Sequence, residues 1–142
     1  MTEKDMQVLF GKYLKDNPPK ETEAYELKIC KAKSLRFDVV KEHQVKALTE
    51  VNDGFFYHKI TDPPVFYGMN TQFNVKRPFD CFALINAKSY LIFWFYKPRE
   101  PKAFIKIAMK DFLDLCYHYK EERLSFTEEM LLEKPHERIY IK

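Results

Sequence analysis

Cysteine is scarce in this chain and poorly placed for cross-linking. Only Cys30, Cys81 and Cys116 occur, an odd and widely separated set with no Cys-x-x-Cys pair. That spacing argues against a zinc site or a disulfide framework and fits a reducing compartment. Long apolar runs are also missing. The longest, Tyr90 to Tyr96, holds seven residues, whereas a membrane helix takes roughly 20. The opening Met1-Thr2-Glu3-Lys4-Asp5 has no apolar signal core. No internal repeat or low-complexity segment occurs. The expectation is a soluble, cytoplasmic protein with no membrane partner. Excess charge is limited too: 24 Lys and Arg against 21 Asp and Glu give a net +3. That balance permits a polyanionic partner without demanding one.

What is present is enough to build a core. The chain has 142 residues, is 46% apolar and includes 13 Phe and 9 Tyr, so one domain is expected over 1–142. Thr2 with Asp5 reads as the start of a first helix, with Met6, Leu9, Phe10, Tyr13 and Leu14 on its apolar face. Asn17-Pro18-Pro19 ends that helix. Tyr25 to Cys30 alternates and reads as a strand. A basic turn, Lys31 to Phe37, precedes a second helix over about 38–51, with Val40, Gln44, Ala47, Leu48 and Val51 on one stripe. Phe55 to Ile60 reads as a strand and 61–78 as irregular. Phe79 to Ile85 and Tyr90 to Tyr96 read as strands, the second central because it is apolar on both faces. Phe104 to Ala108, a helix over about 110–121, a short helix near Glu128 to Leu132 and a strand over 138–141 follow. The fold class is α/β (α+β), a central mixed sheet flanked by helices.

The stretch Ala24-Tyr25-Glu26-Leu27-Lys28-Ile29-Cys30 carries the chemistry. Tyr25, Leu27 and Ile29 would face a core, which leaves Glu26 and Lys28 side by side on the other face. A carboxylate that holds a divalent cation beside a lysine that polarises water is what phosphodiester hydrolysis needs. A solvated ion pair on an exposed strand is the other reading of the same two residues.

Four pieces taken together resemble a known family. They are Glu26-Leu27-Lys28, Ser34 with Phe37, His43-Gln44 on a helix, and Lys59-Ile60-Thr61-Asp62 with Arg77-Pro78-Phe79-Asp80. Over about residues 1–110 they resemble the PD-(D/E)XK nuclease superfamily, most closely its Holliday-junction-resolvase and RecU-like members. The usual order places the Asp strand before the Glu-x-Lys strand. Here Asp80 comes last, so the resemblance implies a restriction-endonuclease-like core in circularly permuted strand order. The Glu26 and Asp80 strands are then expected to be neighbours. Residues 111–142 would form a C-terminal helical extension with a terminal strand.

The resemblance implies a metal-dependent DNA endonuclease acting on branched or junction DNA, with Mg²⁺ or Mn²⁺ as cofactor and a homodimer as the cutting unit. Asp80 and Glu26 would be metal ligands, Lys28 the water-orienting or charge-stabilising group, and Gln44 the helix residue reaching the metal water or phosphate. Glu3, Gln7, His43 and Asp62 are additional candidates. Lys31, Lys33, Arg36, His58, Lys59, Arg77, Lys97 and Arg99 would contact DNA phosphates. The alternative is a catalytically inactive DNA-binding or protein-interaction module on a nuclease scaffold.

Overall fold

The computed structural model describes residues 1–60 and 79–142. Helix α1 runs Glu3–Asp16 and opens as its sequence predicts. The Thr2 hydroxyl accepts the Asp5 N–H at 3.2 Å, and the Asp5 carboxylate accepts the Thr2 N–H at 2.7 Å. This reciprocal pair satisfies two donors that a helix start otherwise orphans. Strand β1 is Glu23–Cys30. The short strand β2, Ser34–Arg36, and a 3₁₀ turn, Phe37–Val39, lead to helix α2, Glu42–Asp53.

The start of α2 corrects the sequence expectation. Val40 is buried but extended, with φ −86° and ψ 110°, so the helix begins at Glu42 rather than near Asp38. The Gln44 side-chain oxygen accepts the Lys41 N–H at 3.0 Å. A side chain that satisfies the backbone at this point makes it the boundary.

Strand β3 is Phe55–Lys59, and β4, Cys81–Ile85, pairs with it in an antiparallel two-stranded sheet. Next come β5, Lys88–Phe95, and β6, Ala103–Ala108. Helix α3 is Met109–Tyr119, β7 is Ser125–Thr127, α4 is Glu128–Leu132 and β8 is Glu137–Tyr140. The main sheet has the order β1-β5-β6-β8. β1 and β5 are parallel, with Glu26 beside Leu91 and Lys28 beside Phe93. The other two pairings are antiparallel. β2 and β7 pair separately.

Two cores lie on the two faces of this sheet. Met6 and Phe10 of α1 pack with Ile92, Trp94, Phe104 and Ile139, joined by Tyr25, Leu27 and Ile29. On the other face Leu48, Phe112, Phe126 and Leu131 pack over Leu91, Phe93, Ile105 and Ile107. β5 is buried on both sides, as its unbroken apolar run requires. Residues after 110 supply α3, α4 and β8 to these layers.

The expected neighbourhood of Asp80 and Glu26 is not found. β1 takes β5 as its hydrogen-bonded partner, and β4 pairs with β3 in a different sheet. The reason is apolar content: β5 can be covered on both faces, while β4 alternates half-buried Phe82 and Leu84 with exposed Ala83 and Ile85. An alternating strand suits a one-sided hairpin, not the centre of a two-layered sheet.

Candidate active site

Glu26 and Lys28 share the face of β1 that α2 covers, the same face as Ala24 and buried Cys30. They are therefore not on a solvated face. The Lys28 side chain is only 11% exposed and that of Glu26 24%. Lys28 Nζ lies 2.8 Å from Glu26 Oε1. Burial of an ammonium is tolerable because a carboxylate meets it at bonding distance.

Gln44 completes the cluster from α2. Its Nε2 donates to the same Glu26 Oε1 at 2.6 Å, while its oxygen holds the Lys41 N–H. Both ends of the amide are thus fixed, one by the helix start and one by the strand carboxylate. Glu26 Oε1 receives both bonds, so Oε2 carries neither of them. Sequence periodicity had placed Gln44 on the apolar stripe, and it faces the strand as that stripe implied.

The other candidates are dispersed. Asp80 is exposed and immediately precedes β4, where its carbonyl accepts the Ile60 N–H at 2.7 Å. Glu3 and Gln7 are exposed on α1, the helix that covers the opposite sheet face. His43 is exposed although its neighbour Gln44 turns inward. Asp62 and Arg77 lie outside the described residues. Among the described residues no three His, Cys, Asp or Glu side chains are grouped as a metal site.

The described basic residues fall in several separate places. Lys31, Lys33 and Lys97 line a cavity of about 610 Å³ at the C-terminal ends of β1 and β5. Lys97 is partly neutralised there by Glu128 at 3.2 Å and Glu100 at 3.9 Å. Arg36 is engaged by Asp38 through two bonds, of 3.0 and 2.9 Å. Arg99 is exposed on the loop after β5, with φ 67°. His58 and Lys59 sit on the β3–β4 hairpin, where the His58 ring stacks 6.1 Å from Phe56. The seven of these candidates that are described therefore do not form one collar.

A second buried ion pair was missed from sequence. Lys106 Nζ meets Glu23 Oε2 at 2.9 Å, with side chains 16% and 12% exposed. The ammonium also sits 4.2 Å over the Tyr90 ring, and the Tyr25 hydroxyl donates to Glu23. The signal was present in Phe104-Ile105-Lys106-Ile107, a lone lysine within an apolar strand. Burial raises the Glu23 carboxyl, but the Tyr25 and Lys106 bonds outweigh it and hold the group below the usual carboxylate value. Burial, then Glu23, push the Tyr25 phenol above its usual range.

No family model, curated protein or solved structure matches this chain. No helix among the described residues is long and apolar enough to cross a membrane.

Proposed function

We propose that this protein is a metal-dependent DNA endonuclease that hydrolyses phosphodiester bonds, with branched DNA of the Holliday-junction type as substrate. One observation carries the reading. A strand Glu-x-Lys and a helix Gln, distant in sequence, converge on a single carboxylate oxygen in a largely enclosed setting.

The donor set fits a hard divalent cation. Glu26 keeps a carboxylate oxygen outside the Lys28 and Gln44 bonds and remains partly accessible. Mg²⁺ is commonly held by one or two carboxylates, with water and substrate phosphate filling the rest. Glu26 would hold it, with water and substrate phosphate as its other ligands, and when bound it supplies Lewis-acid polarisation of the phosphate and a more acidic water. Lys28 orients the attacking water and offsets charge growing on the phosphate oxygens. Gln44 fixes the rotamer of Glu26 so that its second oxygen is presented the same way at each turnover. Lys31 and Lys33 supply sequence-independent phosphate contacts beyond the end of β1. A homodimer would bring two such sites to a two-fold symmetric junction.

The test is cleavage of branched DNA in Mg²⁺ or Mn²⁺. Glu26→Ala should abolish cutting while its far-UV circular dichroism stays that of the parent. Undiminished metal-dependent cutting by that variant refutes the assignment. A panel of junction, flap, nicked and linear duplexes then checks the substrate. Junctions cut no faster than linear duplex would remove the resolvase label.

The placement of Asp80 in a separate hairpin favours a second reading: an inactive DNA-binding or protein-interaction module in which Glu26 and Lys28 are structural. It predicts no Mn²⁺ binding by calorimetry. Binding that disappears in Glu26→Gln would eliminate it.

A further inference from the structure

The main sheet ends at β1 on one side and at β8 on the other. β8 is a blunted edge: it has four residues, of which only Ile139 is buried, and it carries Glu137 and Arg138. Short, charged edges resist pairing with another chain. β1 is built differently. It has eight residues in unbroken register with β5, so it contains no bulge, and no proline interrupts it. Glu23 to Leu27 and Ile29 are half-buried, whereas Leu91, Ile92 and Phe93 of the neighbouring β5 are fully enclosed.

The backbone of β1 is satisfied on one side. The Lys88 N–H donates to the Thr22 carbonyl at 3.1 Å, and the Tyr96 N–H to the Cys30 carbonyl at 2.7 Å. Those bonds bracket the strand and turn its even-numbered residues to β5. Alternation then directs the N–H and C=O of Glu23, Tyr25, Leu27 and Ile29 to the outer side. Among the described residues no backbone group meets them there. So long a row of unpaired groups is a template for another strand.

The side chains of the edge say which strand fits. Glu23-Ala24-Tyr25-Glu26-Leu27-Lys28-Ile29-Cys30-Lys31 reverses its charges about Leu27. We propose that β1 pairs antiparallel with β1 of a second copy of this chain, across a two-fold axis at Leu27, and joins the two sheets into one. In that register Leu27 faces Leu27, Tyr25 faces Ile29, Ala24 faces Cys30, Glu26 faces Lys28 and Glu23 faces Lys31 of the other copy. Apolar side chains meet apolar ones and each carboxylate meets an ammonium, the favourable cross-strand combinations. The outward-directed residues fall opposite one another, as the hydrogen-bonded pairs of an antiparallel ladder must. A slide of two residues one way sets Glu26 against Glu26, and the other way Lys28 against Lys28. Like charges directly opposite are destabilising, so the pattern selects one register. The two-fold axis uses up the open edge of both copies, and assembly stops at a dimer. The inference concerns association alone: a chain that dimerises without cutting DNA leaves it intact.

The full chain should sediment as a dimer that dissociates on dilution. Amide exchange at Tyr25, Leu27 and Ile29 should slow as protein concentration rises, while the amides of Glu26 and Lys28, already bonded to β5, keep their rate. Lys31→Glu, at an exposed position, sets a like charge against Glu23 and should weaken the dimer about tenfold. Ala24→Cys supplies a covalent readout. Within one chain positions 24 and 30 lie about 20 Å apart along the strand, too far for a disulfide. With oxidised glutathione this variant should form a covalent dimer, and mass spectrometry should place the bond between the introduced thiol and Cys30. Exchange and Lys31→Glu decide the matter if Ala24→Cys does not fold. A monomer at every concentration, outer amides that exchange independently of concentration, an undiminished dimer in Lys31→Glu, or disulfides joining other positions would each overturn the proposal.

Discussion

Glu26 Oε1 is the most heavily engaged side-chain atom of the candidate active site, with Lys28 at 2.8 Å and Gln44 at 2.6 Å. Removing the ammonium leaves a carboxylate desolvated by α2 without its counter-charge. Lys28→Met should therefore cost about 1–3 kcal/mol in urea unfolding, less than a fully enclosed pair because Glu26 keeps some water. Lys28→Met combined with Glu26→Gln should recover much of that loss, and a double-mutant cycle measures the coupling. The Glu23–Lys106 pair makes a pH prediction. Its carboxyl is held below the ordinary value of 4.5 in the folded protein. A depressed folded value adds stability that is complete above the unfolded pKa and is lost as pH falls through the folded one. The urea midpoint should thus drop as pH is lowered from about 5 toward 3, and Glu23→Gln should flatten that slope.

At the scale of single elements, helix starts show the tightest link between sequence and structure. Thr2 and Asp5 exchange bonds across the first turn of α1. Thr2→Ala should remove about 1 kcal/mol, seen as a lower melting temperature. In α2 the boundary residue is also a site residue, since Gln44 holds the Lys41 N–H and Glu26 together. Gln44→Ala should fray the first turn of α2 and release the Glu26 side chain. Amide exchange at Lys41 and its neighbours should rise together with any loss of cleavage. β5 is decided by composition: its run from Leu91 to Phe95 finds cover only in the middle of the sheet.

For the molecule as a whole, Phe126 joins the layers on one sheet face. It is fully buried, with ring centroids 5.4 Å from Phe93, 5.6 Å from Phe112 and 5.2 Å from Phe37. It sits on β7, a three-residue strand that holds β2 in place. Phe126→Ala should cost about 3–5 kcal/mol and lower the urea midpoint of the whole domain. The residue lies beyond the 1–110 span that the nuclease resemblance covers, so the fold draws on chain outside that span.

Local pattern was enough to determine the helices α1, α3 and α4, the strands β1 and β5, and the turning of Gln44 toward the sheet. Caps, period-two alternation and continuous apolar runs act over a few residues, and a few residues suffice to express them. The partners of those elements were settled elsewhere. β2 and β7 each have three residues, too few for a period, and exist because they pair with one another across a long stretch of chain, Leu35 with Phe126. The seating of β5 beside β1, the removal of Asp80 to its own hairpin and the enclosure of Glu26 and Lys28 follow from which surfaces can be covered at once. Burial is a property of all layers packed together, and so it is decided by the tertiary structure.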